Sequence, residues 1–233
     1  MHAIALRRQL LGGAVIVFAS AALACSSDST ATEVPIPVAL VLTENSGVEA
    51  QTGVVGGVLA TPISIKLTQS EQPLAGAVVS WGVRSGGGSV DAATSTTDAS
   101  GDAVVHWTLG TVAGADTLIG TTSTGATSII TATAVAGPAT TVSLVGGDGQ
   151  TVSAGSAATP LIIKAVDQFG NGVSGAAVTW TVSGTQTLDN STTTTDAGGQ
   201  SQVVLTMSGT PGTYTITASL DGLAPVMFTE IED

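Results

Sequence analysis

The sequence predicts an all-β chain of two tandem β-sandwiches behind an N-terminal export signal, and three observations carry that reading. The first is an internal repeat with a period near 98 residues, sought before any other feature because missing it misplaces the whole fold. Thr61-Pro62-Ile63-Ser64-Ile65-Lys66 matches Thr159-Pro160-Leu161-Ile162-Ile163-Lys164, Gly76-Ala77-Val78-Val79-Ser80-Trp81 matches Gly175-Ala176-Ala177-Val178-Thr179-Trp180, and Thr96-Thr97-Asp98-Ala99-Ser100-Gly101 matches Thr194-Thr195-Asp196-Ala197-Gly198-Gly199. The second is alternation with period two, the mark of half-buried strands. Ala77, Val79, Trp81 and Val83 share one face, as do Ala176, Val178, Trp180 and Val182, and the same holds for Val105, Trp107 and Leu109 and for Val203, Leu205 and Met207. The third is composition: of 233 residues 43% are hydrophobic, only 9% are charged, and thirty are glycine. About a quarter of an ordinary soluble chain is charged, and a chain rich in Gly, Thr and Ser favours short strands and turns over helices. Strand-like runs recur every 8 to 12 residues, which predicts about seven strands per copy.

The elements follow in order. Residues 1–24 carry Arg7-Arg8, an apolar run from Leu10 to Leu23, and small residues at Ala21, Ala22 and Ala24. That is a secretory signal, too short to span a bilayer comfortably. The only cysteine, Cys25, follows at once in Ala22-Leu23-Ala24-Cys25, and this resembles the lipobox of bacterial lipoproteins, in which cleavage precedes a cysteine that becomes lipidated. Lipidation gives a use to a lone thiol in an oxidising compartment, and a diacyl or triacyl cysteine holds a membrane lastingly where one chain does not. Leu6-Arg7-Arg8-Gln9-Leu10-Leu11 also resembles a twin-arginine export signal, so the export route stays open. Residues 25–37, punctuated by Pro35 and Pro37, read as a flexible linker. Residues 38–136 form the first domain and 137–233 the second, divided where Gly137 and Pro138 interrupt two strand-like runs.

Turn chemistry places the hairpins. An Asp at the first turn position bonds its own backbone two residues on, and a Gly at the fourth supplies positive φ, so Asp98 to Gly101 and Asp196 to Gly199 close turns. Gly170 and Asn171 turn the chain between the strands of Ile163 and Trp180. Trp81 and Trp180 recur at one point of each copy and fill the core, with Trp107 beside the former.

Catalytic and metal chemistry finds no pattern in the sequence. Beyond the signal there is one histidine, His106, on the face opposite Trp107, and no cysteine but Cys25, so neither a Cys/His metal cluster nor a Ser-His-Asp constellation can be assembled. No Asp-x-Asp-x-Asp-Gly loop offers calcium its oxygens, and the glycine runs 85–89 and 146–149 lack the Lys-Ser/Thr ending of a phosphate loop. Net charge is −12, and beyond the signal Lys66, Arg84 and Lys164 face seventeen acids, which excludes a phosphate backbone as partner. No cofactor, no metal and no catalytic residue are expected.

The turn Asp167-Gln168-Phe169-Gly170-Asn171, then Val173-Ser174-Gly175-Ala176, Val178-Thr179-Trp180, Thr195-Asp196-Ala197-x-Gly199 and Pro211-Gly212-Thr213-Tyr214-Thr215-Ile216-Thr217-Ala218 together resemble the bacterial immunoglobulin-like (Ig-like) domains of the invasin and intimin type, the Big-1-like group. The resemblance runs from about residue 139 to 230. The first copy departs from it: Thr68-Gln69-Ser70-Glu71-Gln72-Pro73 replaces the Gly-Asn turn, and Asp116 stands where Tyr214 stands. Tyr214 resembles a tyrosine corner, a structural role. The resemblance implies extracellular, disulfide-free stalk or adhesion modules, here lipid-anchored in the envelope, at the outer membrane or cell surface. The alternative is a periplasmic binding or scaffold module that recognises glycan or protein through domain-end loops, with 168–171 at the distal end of the second copy as the first candidate.

Overall fold

Each copy lays a five-stranded sheet against a smaller one, because alternating strands can bury their apolar face only against another layer. The computed structural model describes residues 40–44 and 50–233; the signal, Cys25 and the linker lie outside the described residues. In the first copy the larger sheet runs in the order Gln51–Val54, Thr127–Val135, Gly114–Thr122, Val78–Ser85, Thr94–Thr96. Opposite lie Leu40–Glu44 and Ile63–Gln69, the latter also paired with Gln72–Pro73 and Asp102–Val105. The second copy repeats the plan with Thr151–Val152, Val226–Glu232, Gly212–Ser219, Ala177–Val182 and Thr192–Thr194 against Thr141–Gly146, Leu161–Val166 and Gln200–Val203. The fold is therefore all-β, two tandem Ig-like sandwiches, with no helix among the described residues, and both fall in one compact unit.

Among the described residues all ladders are antiparallel except two, in which Gln51–Val54 runs parallel to Thr127–Val135 and Thr151–Val152 parallel to Val226–Glu232. In the second copy the cause is visible: the opening segment starts on the small sheet as Thr141–Gly146 and ends on the large one. It crosses at Gly147, whose φ of +91° and whose close approach to the Pro160 carbonyl exclude a side chain. Gln150 then pins the crossing, its Nε2 donating to the carbonyls of Gly147 (2.5 Å) and Thr159 (3.0 Å) while its Oε1 accepts from Thr159 N (2.7 Å). Gln51 and Thr61 make the same reciprocal pair in the first copy at 3.1 and 3.3 Å.

The cores follow the alternation. Ile63, Ile65, Trp107, Leu118 and Ile130 are buried between the first pair of sheets, and Leu161, Ile163, Trp180, Ile216 and Phe228 between the second. Each such side chain contributes about 1.5–3 kcal/mol by leaving water. The Trp180 and Phe228 rings pack against each other, tilted by 38°, with centroids 6.0 Å apart.

The strands are more broken than the expected seven per copy: among the described residues there are eleven segments in the first and ten in the second. The clearest cause is a carboxylate that takes a ladder donor. Asp91 Oδ1 accepts the N–H of His106 (2.9 Å), splitting Asp102–Val105 from Trp107–Thr108, and Asp189 Oδ1 accepts that of Val204 (2.9 Å), splitting Gln200–Val203 from Leu205–Thr206.

Gly199 sits at φ +79° with its α-carbon against the Ala165 carbonyl, whereas Gly222, at φ +73°, has open space around it. Gly199→Ala is expected to cost about 2 kcal/mol or more and Gly222→Ala about 1 kcal/mol, measured by urea unfolding; equal costs would remove the packing argument.

Candidate functional site at the junction of the sandwiches

Three loops are built on one device. The Oδ1 of Asp98 accepts the N–H groups of Ser100 (2.8 Å) and Asp102 (2.9 Å), that of Asp196 those of Gly198 (2.8 Å) and Gln200 (2.9 Å), and that of Asp167 those of Phe169 and Asn171 (both 2.9 Å). In each, the fourth residue is a glycine at positive φ, Gly101, Gly199 or Gly170, whose N–H returns to the Asp carbonyl at 3.0–3.1 Å.

Asp167 differs in where its second oxygen points. Oδ2 accepts Gly137 N (3.0 Å) from the connection between the sandwiches and Asn171 Nδ2 (3.0 Å). Asn171 in turn reaches the first sandwich: its Oδ1 accepts Ala113 N (2.8 Å) and its Nδ2 donates to the Thr111 carbonyl (2.9 Å). That two-pronged contact imitates one rung of a β-ladder. The Phe169 ring lies over Gly56, where a Cβ would stand 3.2 Å from it, and Val54, Val55, Gly137, Pro138, Thr140 and Gln168 line an apolar cavity of about 270 Å³. The loop expected at the distal end of the second copy is therefore at its junction with the first. The sequence could not show this, since no local pattern says which end of a sandwich meets its neighbour.

Burial pushes the Asp167 carboxyl up, but the hydrogen bonds from Asn171, Gly137 and Phe169 outweigh it and hold the group below the usual carboxylate range. A lowered folded-state value gives stability that is complete above the ordinary value near 3.8 and is lost as pH falls through the lower folded value. With every donor around it a protein N–H, Asp167 is an anchor for the backbone. Among the described residues no three His, Cys, Asp or Glu side chains come together as a metal site.

Other sequence-selected residues fall elsewhere. Trp81 Nε1 donates to Ser95 Oγ (2.9 Å) and Trp180 Nε1 to Thr193 Oγ1 (2.7 Å), so both indoles are buried with a partner. Tyr214 OH donates to the Thr210 carbonyl (2.7 Å). His106, exposed, pairs through Nδ1 with Asp91 Oδ2 (2.8 Å), and its bonds hold the Asp91 carboxyl below the usual range.

Sequence reasoning missed three buried carboxylates. Asp116 Oδ2 accepts Gly110 N (2.8 Å), Glu232 Oε1 accepts Gly209 N, and Glu230 Oε2 accepts Gln150 N (2.7 Å) while its Oε1 is buried without a partner. The signal was in the alternation: Phe228, Glu230 and Glu232 share one phase, while Ala132 and Ala134 hold the matching places in the first copy. Burial drives the Glu230 carboxyl above the usual range, and the charge of Asp148 adds to it against the bond from Gln150 N–H.

These sandwiches have known relatives. Residues 141–229 match the bacterial Ig-like domain, group 1. That group 1 match covers the second sandwich, the copy with the Gly-Asn turn and Tyr214. Among solved structures, FdeC, an Escherichia coli adhesin, is 20% identical with a TM-score of 0.60, covering 82% of this chain and 62% of its own. InvD of Yersinia pseudotuberculosis is 19% identical with a TM-score of 0.54, covering 83% of this chain and 57% of its own. The chain thus spans less than two thirds of either structure, and likeness at this identity shows the shared fold. No curated protein matches the sequence.

Two outcomes are expected. Asn171→Ala removes the contacts with Thr111 and Ala113 and is expected to speed hydrogen exchange at Ala113 N at least tenfold, about 1.4 kcal/mol, with each sandwich core unchanged. Because a raised folded-state value gives stability that is lost as pH rises through it, Glu230→Gln is expected to stabilise the second sandwich by roughly 1–3 kcal/mol at pH 7 and by little at pH 4, read from unfolding curves at both pH values.

Proposed function

We propose that this chain is a lipid-anchored bacterial envelope protein, held by Cys25 at the outer membrane or cell surface, in which the two Ig-like sandwiches act as a non-enzymatic stalk or adhesion module. The observation that supports it best is the junction. Consecutive domains by default move on their linker, whereas here Asp167 holds the linker amide of Gly137 and Asn171 holds the backbone of the neighbouring sandwich. A stalk needs such a joint, because an element that presents something away from a membrane must resist folding back on itself. The group 1 match and the fold shared with the adhesin FdeC favour the same reading.

Two experiments on cells producing the whole chain test it. Labelled palmitate is expected to enter the wild-type chain and not Cys25→Ser; label persisting in the variant ends the anchor assignment. Protease added to intact cells is expected to release peptides from residues 50–233 while a periplasmic control survives. Protection until the envelope is broken would instead make the chain a periplasmic scaffold.

A further inference from the structure

The outward face of the five-stranded sheet in the second sandwich carries no charged side chain. Its centre is made of Thr179, Thr181, Thr215, Thr217 and Thr229, in cross-strand register as Thr181 with Thr217 and Thr215 with Thr229. Exposed Met227 and Ile231, beside Thr217 and Thr213, complete it. The only charged residues on these five strands, Glu230 and Glu232, point inward and are buried. An exposed sheet in water ordinarily mixes charges of both signs over its surface and uses them to discourage association. Here the chain has a net charge of −12, yet among the described residues no acid stands on this face.

We propose that this threonine face is a self-association surface whose occupant is a second copy of this chain. Two chains of charge −12 repel wherever acids meet acids, and this face lets them approach without such a meeting. Threonine also suits a two-fold contact, in which one patch meets itself: a hydroxyl both donates and accepts, so threonine complements threonine, while lysine or glutamate opposes its own copy. Strands of 2, 7, 8, 6 and 3 residues, at about 3.3 Å per residue and about 4.8 Å apart, give a patch of roughly 400 Å² per copy. A pair then buries about 800 Å², below the ~1,000 Å² of a stable specific interface, so the association is weak and depends on concentration.

Disulfide trapping in the whole chain tests this, since Cys25 is its only cysteine. Thr215→Cys and Thr229→Cys are compared with Ser143→Cys, which is exposed on the small sheet, in cells and in detergent extract after mild oxidation. The expected result is a disulfide-linked dimer at least tenfold more abundant from Thr215→Cys or Thr229→Cys than from Ser143→Cys. Adding Thr217→Lys to the trapping variant is expected to suppress it about tenfold. Co-production of Thr217→Lys and Thr217→Glu chains, each with the trapping cysteine, restores it, which separates charge repulsion from misfolding. Absence of dimer from both face positions, or equal trapping at Ser143→Cys, overturns the proposal. The detergent arm reads association whatever the envelope location, so it stands or falls apart from the stalk assignment.

Discussion

A backbone N–H withdrawn from water and left without an acceptor costs about 1–3 kcal/mol, and in this chain that requirement decides where the acids go. At nine places a carboxylate meets an amide that the ladders leave over. Asp98, Asp167 and Asp196 close turns; Asp91 and Asp189 take the N–H at strand breaks; Asp148 takes Thr229 N at the crossing into the large sheet. Asp116, Glu230 and Glu232 do the same from inside the sandwiches. These nine carboxylates each stand in for a missing β partner.

The same requirement explains how two copies share a fold with different wiring. At Gly110 the acceptor comes from Asp116, whereas in the second copy Ser208 holds that place and the adjoining Gly209 takes its acceptor from Glu232, a residue on the neighbouring strand. With the acceptor on Asp116, the last strand of the first sandwich can carry Ala132 and Ala134; with it on Glu232, the position of Asp116 is free for Tyr214. The second copy thereby gains the buried acid Glu230, whose carboxyl is held above the usual range by burial, and with it a dependence on protons at a place where the first copy has Ala132.

Concentrating the acids at loops has opposite effects on the two kinds of surface. At the end of the second sandwich it turns a hairpin device into a joint, because the Asp167 oxygen left over from the turn reaches the linker amide. On the five-stranded sheet of the second sandwich it leaves the outward positions to threonine and a few aliphatic side chains. Joint and neutral face are thus products of one distribution of charge.

Much of this was legible in the sequence because it is local. Period-two alternation selected Val79, Trp81, Val178 and Trp180 for the core, and Asp-Ala-x-Gly specified a turn from the reach of a short carboxylate and the φ of a glycine, without reference to distant chain. The alternation also held the burial of Glu230 and Glu232, hidden only because carboxylates are read as exposed until a buried donor such as Gln150 N is seen. What tertiary structure alone decided is every contact whose partner lies far along the chain: Asn171 with Thr111 and Ala113, Gly137 with Asp167, and His106 with Asp91. Those depend on which loops folding brings together, within a sandwich or between two, and spacing along a strand carries no record of that distance.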